Sequence, residues 1–499
     1  MKNRSKFRII VASAIAFFIM AAAVPMQASA ATPYEGYTIN KLGYDVHSIN
    51  GYVYKGSIDG YGLESGPFNA PEDIFVAEDN SIYIVDTGNS RIVHYTPDLK
   101  LVKIVGDAEG DGKLNEPKGV FVTNEGVLYV ADTKNQRIAI FDAQGKFVQG
   151  FGKPDNPLLG ATFSYSPSKV LVDKRNYMFV ASDGNTQGLI QIDPNGQFRG
   201  FFGANHIGFS WSRLINKFIL TDEQKARQKV VKPFEFSNAV QDEEGFIYTT
   251  TLGTEFNQLK RLSPVGVDTL NIGNRRYGGR FDAGPYSVPS FLDIAVDNDG
   301  VITALDLQSS KVYQYDKLGN FLFVFGGVGS QNGLFVTVSS MDQSADGTIY
   351  VVDKGRHRVD MFRATPFADL VHEASRLYVD GRYSEAEGIW NEVLQLNSNY
   401  DLAYLAIGKS LYKAENYKEA MAYFKLANSR HDYSVSFKEY RKEFIRDNFT
   451  VIFVLLIAVI AGLRYLVPYV RRKIAAMLAN RSRDKRMKLQ EGVYHDHNI

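Results

Sequence analysis

Residues 85–95, Val-Asp-Thr-Gly-Asn-Ser-Arg-Ile-Val-His-Tyr, return at 131–141 as Ala-Asp-Thr-Lys-Asn-Gln-Arg-Ile-Ala-Ile-Phe. A unit that recurs at a fixed period has to pack against copies of itself, so the period constrains the fold more than any local propensity does. Degenerate copies follow the first two. With Asp86 as the marker, the equivalents are Asp132, Ser182, Thr251, Asp306 and Asp353.

Each unit opens with a short apolar strand and turns into a second strand that ends at the marker. A third strand follows Arg-Ile, and a fourth ends near Phe-Gly. The first unit reads as strands over 71–74, 82–86, 91–95 and 101–106, the second over 117–120, 128–132, 137–141 and 147–152. Four short strands at a period in the forties predict a β-propeller blade, and six units predict a six-bladed ring. The long spacing from Ser182 to Thr251 holds an insertion at 204–232. The sixth unit lacks a fourth strand. An open strand edge is a liability, so residues 36–60, which have strand character, are expected to supply it and close the ring.

The phrases at 83–92 and 129–138 resemble NHL repeats, and the resemblance covers roughly residues 65–363. It implies the six-bladed fold. It leaves function open, because lyases, RNA binders and scaffolds share such repeats.

The repeated phrase itself reads as structural. Asp and Asn at a turn bond nearby backbone amides, and the following Arg can pair with the Asp. A catalytic site needs different residues converging once. Function is therefore sought where the blades differ. The innermost strands begin at Asp73, Gly119, Lys169, Asn238, Asp293 and Ser340, preceded by Glu72, Lys118, Ser168, Ser237, Leu292 and Ser339. One of these sets should face the channel mouth. Asp73, Lys169, Asn238 and Asp293 are the candidate ligand-binding residues. Six-bladed lactonases similar in shape hold a divalent ion with carboxylate, amide and carboxylate groups. That resemblance implies such a role for Asp73, Asn238 and Asp293, since hard cations take oxygen ligands. Lys169 in the same ring would repel the ion. No cofactor is assigned, and a divalent cation is the one that this set admits.

No catalytic residue is assigned. Zinc lyases of the NHL type need several inward histidines, whereas His47, His94, His206 and His357 fall at non-equivalent positions. No nucleophile elbow, zinc-protease helix or phosphate loop occurs. The patch at 274–284, with Arg275, Arg276 and Arg280, reads as a solvated loop.

The two ends place the chain. Lys2, Arg4, Lys6 and Arg8 precede an apolar run at 9–24, and Ala28-Ser29-Ala30 supplies a small-residue cleavage pattern. Residues 1–30 therefore read as a signal peptide. The absence of cysteine excludes disulfides and thiolate catalysis, and in an exported chain it leans towards a bacterial source. Residues 449–470 are apolar with one charge, Arg464, and are long enough for a transmembrane helix. The bases that follow, Arg471 to Lys488, are offset by one acid, Asp484. The positive-inside rule places that tail in the cytoplasm and the bulk of the chain outside.

Between ring and span, Leu377 and Leu411, Tyr383 and Tyr417, Ala386 and Ala420, and Trp390 and Phe424 each stand 34 apart. The period resembles tetratricopeptide repeats, with a helix over 433–447 as a cap.

The fold expected is mainly β. A signal peptide (1–30) precedes a six-bladed propeller (31–363), a small tetratricopeptide-like helical module (364–447), one transmembrane helix (448–470) and a basic cytoplasmic tail (471–499). The formal net charge of +1 argues against a nucleic-acid partner. The expected function is a membrane-anchored extracytoplasmic scaffold that binds protein or glycan partners in an envelope complex for transport, secretion or wall-polymer handling. This leans away from an enzyme. The alternative is an extracytoplasmic metal-dependent lactone hydrolase or polysaccharide lyase.

Overall fold

The computed structural model describes residues 32–40, 44–160, 163–205, 233–278 and 288–495. The signal-peptide reading, nearly all of the insertion, His206 and Arg280 lie outside these residues.

Six antiparallel sheets form a propeller. From the innermost strand outwards, blade one is Asp73–Val76, Ile82–Asp86, Arg91–Tyr95 and Leu101–Val105. Blade two is Gly119–Val122, Leu128–Asp132, Arg137–Phe141 and Phe147–Phe151. Blade three is Pro167–Val172, Met178–Ser182, Leu189–Ile192 and Phe198–Phe202. Blade four shows three strands among the described residues, Phe236–Gln241, Ile247–Thr251 and Leu259–Leu262. Blade five is Phe291–Val296, Ile302–Asp306, Lys311–Tyr315 and Phe321–Gly326. Blade six takes Val338–Gln343, Ile349–Asp353 and Arg358–Ala364 from its own repeat. Its outermost strand, Tyr52–Ile58, comes from the start of the domain and pairs Tyr52 with Ala364 and Ile58 with Val359. The ring is thus tied shut by joining its first and last segments.

Both faces of each blade are covered by a neighbour, so the second strands are buried along their length rather than at alternate positions, with only Tyr129 of blade two half-buried. Ile84 and Val93 of blade one share a cluster with Val352 and Val359 of blade six. On the other face, Val85 and Ile92 pack with Val120 and Val130 of blade two. Each such aliphatic side chain contributes roughly 1.5–3 kcal/mol on burial.

The repeated phrase is a clasp. The carboxylate of Asp86 accepts hydrogen bonds from the Asn69 amide at 2.7 Å, Asn89 Nδ2 at 2.8 Å and Arg91 Nε at 2.7 Å. Arg91 carries the clasp on to the Ser65 and Gly66 carbonyls at 3.1 and 2.8 Å. Thr87 Oγ1 donates to the Pro117 carbonyl at 2.7 Å, reaching the next blade. Asp132, Asn135, Arg137 and Thr133 repeat the whole pattern. In blades five and six Asp306 and Asp353 still hold the segment leading into the blade, and in blade three Ser182 accepts from the Ser166 amide at 2.9 Å. The residue that closes each clasp turn is left-handed: Ser90, Gln136, Gly188, Asn257, Ser310 and His357 all have positive φ. That shared turn explains why the phrase recurs although its letters drift.

Six helices follow among the described residues: α1 Pro366–Val379, α2 Tyr383–Leu396, α3 Asp401–Lys413, α4 Tyr417–Leu426, α5 Arg430–Asp447 and α6 Phe449–His495. α1 starts on a Thr365 cap with Pro366 at its first position, a normal helix start. The first compact unit extends through the propeller to Ala406, and the second runs from Ile407, so the division falls inside the helical region. Within the first unit, Phe323 of blade five meets Phe367 with ring centroids 5.9 Å apart. Tyr400 Oη donates to the Leu322 carbonyl at 3.0 Å, and Asn397 Nδ2 to Ser48 Oγ at 2.8 Å. Burial holds the imidazole of His372 on α1 down at about 4, and its Nε2 lies 2.9 Å from Gln314 Oε1. α6 is the one described helix long and apolar enough to cross a membrane, by length and composition.

Asp86→Ala would strand Arg91 in a site where it is 3 % exposed. Loss of one member of a buried pair costs about 3–5 kcal/mol. Chemical unfolding of the purified variant is expected to show a loss in that range. A change within about 0.5 kcal/mol, ordinary for a surface site, would refute the clasp.

Candidate functional site

The innermost strand of every blade has one free edge facing the axis, where its amides have no strand partner. The sequence answers with short polar side chains at the head of these strands. Asp73 on blade one accepts from the Val120 amide of blade two at 2.9 Å. Asp293 on blade five accepts from the Met341 amide of blade six at 2.9 Å and from Ile294 at 2.8 Å. Asp342 on blade six accepts from the Val76 amide of blade one at 2.7 Å and from Gln343 at 2.8 Å.

Lys169 reaches from blade three into this group. Its Nζ is ion-paired with Asp73 Oδ1, lies 3.7 Å from Asp293 Oδ2 and donates to Ser340 Oγ at 3.3 Å. Ser340 Oγ bonds Asp73 Oδ1 at 2.6 Å and also reaches Asp293. Asn238 Nδ2 donates to Asp293 Oδ1. All four candidate residues therefore meet, and Ser340 joins them. Gly119 stands at the blade-two position because a Cβ there would lie 2.4 Å from the Ser168 carbonyl oxygen.

Burial pushes the Asp73 carboxyl above its usual range, while Lys169 pulls it back and Asp293 adds to the rise. Burial works against the charge on Lys169, but Asp293 and Asp73 outweigh it and hold the ammonium above the ordinary lysine value. Asp342 is pushed up to about 7 by burial, against the Val76 and Gln343 amides, with Asp293 and Asp73 adding to the rise.

These residues do not fit a divalent cation. The ammonium of Lys169 already holds the place between Asp73 and Asp293. The oxygen of Asn238 is turned to the Ala239 amide at 2.8 Å, so its nitrogen faces the carboxylate. Among the described residues, no group of three or more His, Asp or Glu could hold a metal ion.

Of the preceding set, Glu72, Lys118, Ser237 and Ser339 staple blades together, while Ser168 Oγ donates to the Ala181 carbonyl of its own blade at 3.3 Å. Lys354 Nζ meets Glu72 at 2.8 Å between blades six and one, and Lys118 meets Asp183 at 2.9 Å between blades two and three. Ser339 Oγ donates to the Pro71 carbonyl at 3.1 Å, and Ser237 Oγ to that of Phe291, also at 3.1 Å. The described histidines do not gather at the axis. His94 lies flat on Tyr83 at 4.1 Å, with its pKa lowered to about 4, chiefly by burial. His357 Nδ1 accepts from the Ala70 amide at 2.8 Å. Arg275 donates to the Leu318 carbonyl at 2.7 Å, and Arg276 pairs with Glu255, so both are tied into the fold. Asp342 was not legible from the equivalence of strand starts. It lies two residues beyond Ser340, and the two-residue period of the strand is the signal that could have found it.

The NHL repeat matches residues 114–141 of the chain. No curated protein matches it. Among solved structures, virginiamycin B lyase from Staphylococcus aureus is similar at 10% identity and a TM-score of 0.38, covering 62% of this chain and 99% of that one. A protein of unknown function from Bacteroides thetaiotaomicron is similar at 13% identity and a TM-score of 0.43, covering 65% and 80%. The WD40 β-propeller domain of Doa1 is similar at 14% identity and a TM-score of 0.39, covering 64% and 99%. At these values none of the three carries a function over to this chain.

Two outcomes are expected at the axis. Lys169→Met leaves Asp73 and Asp293 facing one another and should cost about 3–5 kcal/mol, with part regained when Asp73→Asn is added. An unchanged unfolding midpoint in the single variant would contradict the cluster. Asp342, protonated in the fold up to about pH 7 but only to 3.8 when unfolded, favours the folded state at low pH. Its contribution is lost as pH rises through that window, and Asp342→Asn should flatten this part of the stability profile. An identical slope in the variant would exclude Asp342 as its source.

Proposed function

We propose that this chain is a membrane-anchored extracytoplasmic scaffold whose propeller and tetratricopeptide-like surfaces bind a protein partner, with a glycan as the second class of ligand, in an envelope complex serving transport, secretion or wall-polymer handling. The observation that carries this reading is the plugged axis. Lys169, Asp73, Asp293, Asn238 and Ser340 are committed to one another, at the place where a channel-mouth lactone hydrolase or lyase would need groups free to meet substrate.

The helical region supports the second surface. Tyr378 meets Tyr383 with ring centroids 5.3 Å apart, and Tyr412 meets Tyr417 34 residues later at 5.4 Å. The turns agree as well: Gly381 and Glu415 both have positive φ, at 78° and 63°. Ala386 and Trp390 are buried in the first pair, as Ala420 and Phe424 are in the second. That is the recurrence expected of stacked helix pairs, whose outer faces commonly take a peptide or protein. The stretch Phe449–Lys488 contains a segment of mean hydropathy 2.5 with none of it buried in the chain. Its apolar side chains are fit to face lipid, and the bases beyond it favour a cytoplasmic tail.

Photo-crosslinking in intact cells tests the scaffold. A crosslinker at exposed Leu396 or Leu426, in a strain retaining the protein in alkali-washed membranes, is expected to yield a discrete protein adduct. Release of the protein by alkali would refute the anchor, and recovery of no adduct from either position would count against the scaffold.

A further inference from the structure

We infer that the basic end of α6, residues 471–488, lies along the inner leaflet of the membrane and binds acidic phospholipid headgroups, an inference that rests on the anchoring proposed above. The stretch carries eight bases against one acid, Asp484. Every residue in it is exposed. Among the described residues, the ion pairs of the chain end at Arg446 with Asp447, short of this stretch. The bases of the clasps and of the axis are matched by carboxylates of their own chain. Those of the tail need their counter-charge from outside it.

The apolar span fixes where this charge stands. About 20 residues cross the hydrocarbon, which from Phe449 reaches Pro468. Tyr465 and Tyr469 flank that point, both exposed, as rings at the headgroup level are. Lys473 Nζ lies over the Tyr469 ring, 5.4 Å from its centroid, so ring and base share one level. Arg471, Arg472 and Lys473 fall within about 8 Å of Pro468 along the helix, roughly one Debye length. The other five bases, from Arg481 to Lys488, fall about 20–30 Å along it. Projecting straight into solution they would be screened from the leaflet. With the helix bent at Pro468, all eight reach it.

Pro468 is the place for that bend. Proline has no amide to donate to the Arg464 carbonyl, and its ring crowds that carbonyl, so helices kink at such a residue. The chain is helical on both sides of it, over Phe449–His495. The basic segment therefore meets the surface already folded.

The apolar residues between the two groups of bases favour lipid over another polyanion. Ile474, Met477 and Leu478 stand at spacings of three and one, which put them on one face. They are 52, 72 and 61 % exposed. A bilayer takes such side chains below its headgroups while the bases meet phosphate. A nucleic acid would use the bases but would leave that face wet. The span also holds the segment beside one leaflet, so the encounter with lipid is in effect intramolecular.

The chain contains no cysteine, so a single introduced one reports without background. Full-length Leu478→Cys and Asn480→Cys, which lie on nearly opposite sides of the helix, are labelled with a fluorophore. Each is placed in vesicles of phosphatidylcholine, alone or mixed with phosphatidylglycerol. Nitroxide lipid is expected to quench the Leu478→Cys label several-fold more than the Asn480→Cys label, and only in the acidic vesicles. Arg481→Gln, Arg483→Gln, Lys485→Gln and Arg486→Gln combined should bring that quenching down to the level in phosphatidylcholine. Equal quenching in both kinds of vesicle, or none in either, would overturn the proposal. So would a label that responds to added oligonucleotide and not to acidic lipid. Failure of the anchoring would be seen separately, as protein that no longer floats with the vesicles after an alkaline wash, before any quenching is read.

Discussion

Six sheets set around an axis leave six inner strand edges facing one another, and the rest of the domain depends on how those edges are satisfied. Here the answer is ionic. Asp73 and Asp293 each lend a carboxylate to an amide of the next blade, Asp342 lends a carboxyl group whose pKa burial pushes up to about 7, and Lys169 supplies the cation among them. Burying so much charge costs solvation, which is recovered only where every lone pair and proton finds a partner. Ser340 and Asn238 complete that set. The same residues that would be read as a binding site from the sequence are thereby used up in holding the ring.

Around this axis the clasp works at the rim. Asp86 and Arg91 pin the segment that leads into their own blade, while Thr87 pins the next one. Local turn chemistry and inter-blade packing thus point to the same structure, which is the condition for a repeat to fold in register. Blade six lacks a fourth strand of its own, and Tyr52–Ile58 fills the position, so the two ends of the ring stabilise each other.

Much of this was legible in the sequence because the clasp is local. The second and third strands of blades one and two, Ile82–Asp86, Arg91–Tyr95, Leu128–Asp132 and Arg137–Phe141, begin and end where the repeated phrase places them. The convergence of Asp73, Lys169, Asn238 and Asp293 followed from strand equivalence, and so did the conflict between Lys169 and a cation. What escaped was set by tertiary contact. The direction of the Asn238 amide depends on the Ala239 amide and on Asp293 from the next blade. The extension of the first compact unit to Ala406 depends on Phe323, Phe367 and Tyr400 meeting across distant segments. Neither leaves a trace in residue spacing.

A plugged axis, a paired set of helices and a long apolar helix together favour a protein that holds partners over one that turns over a substrate. The plug is the decisive element, because a metal-dependent hydrolase or lyase would need Asp73 and Asp293 for its ion. The most direct measurement is the thermal unfolding midpoint of the purified protein with and without calcium or zinc in excess. Specific binding to the folded state would raise that midpoint with concentration. With Lys169 seated between the carboxylates, the account predicts no shift. A saturable rise of several degrees, abolished by Asp293→Asn, would contradict it.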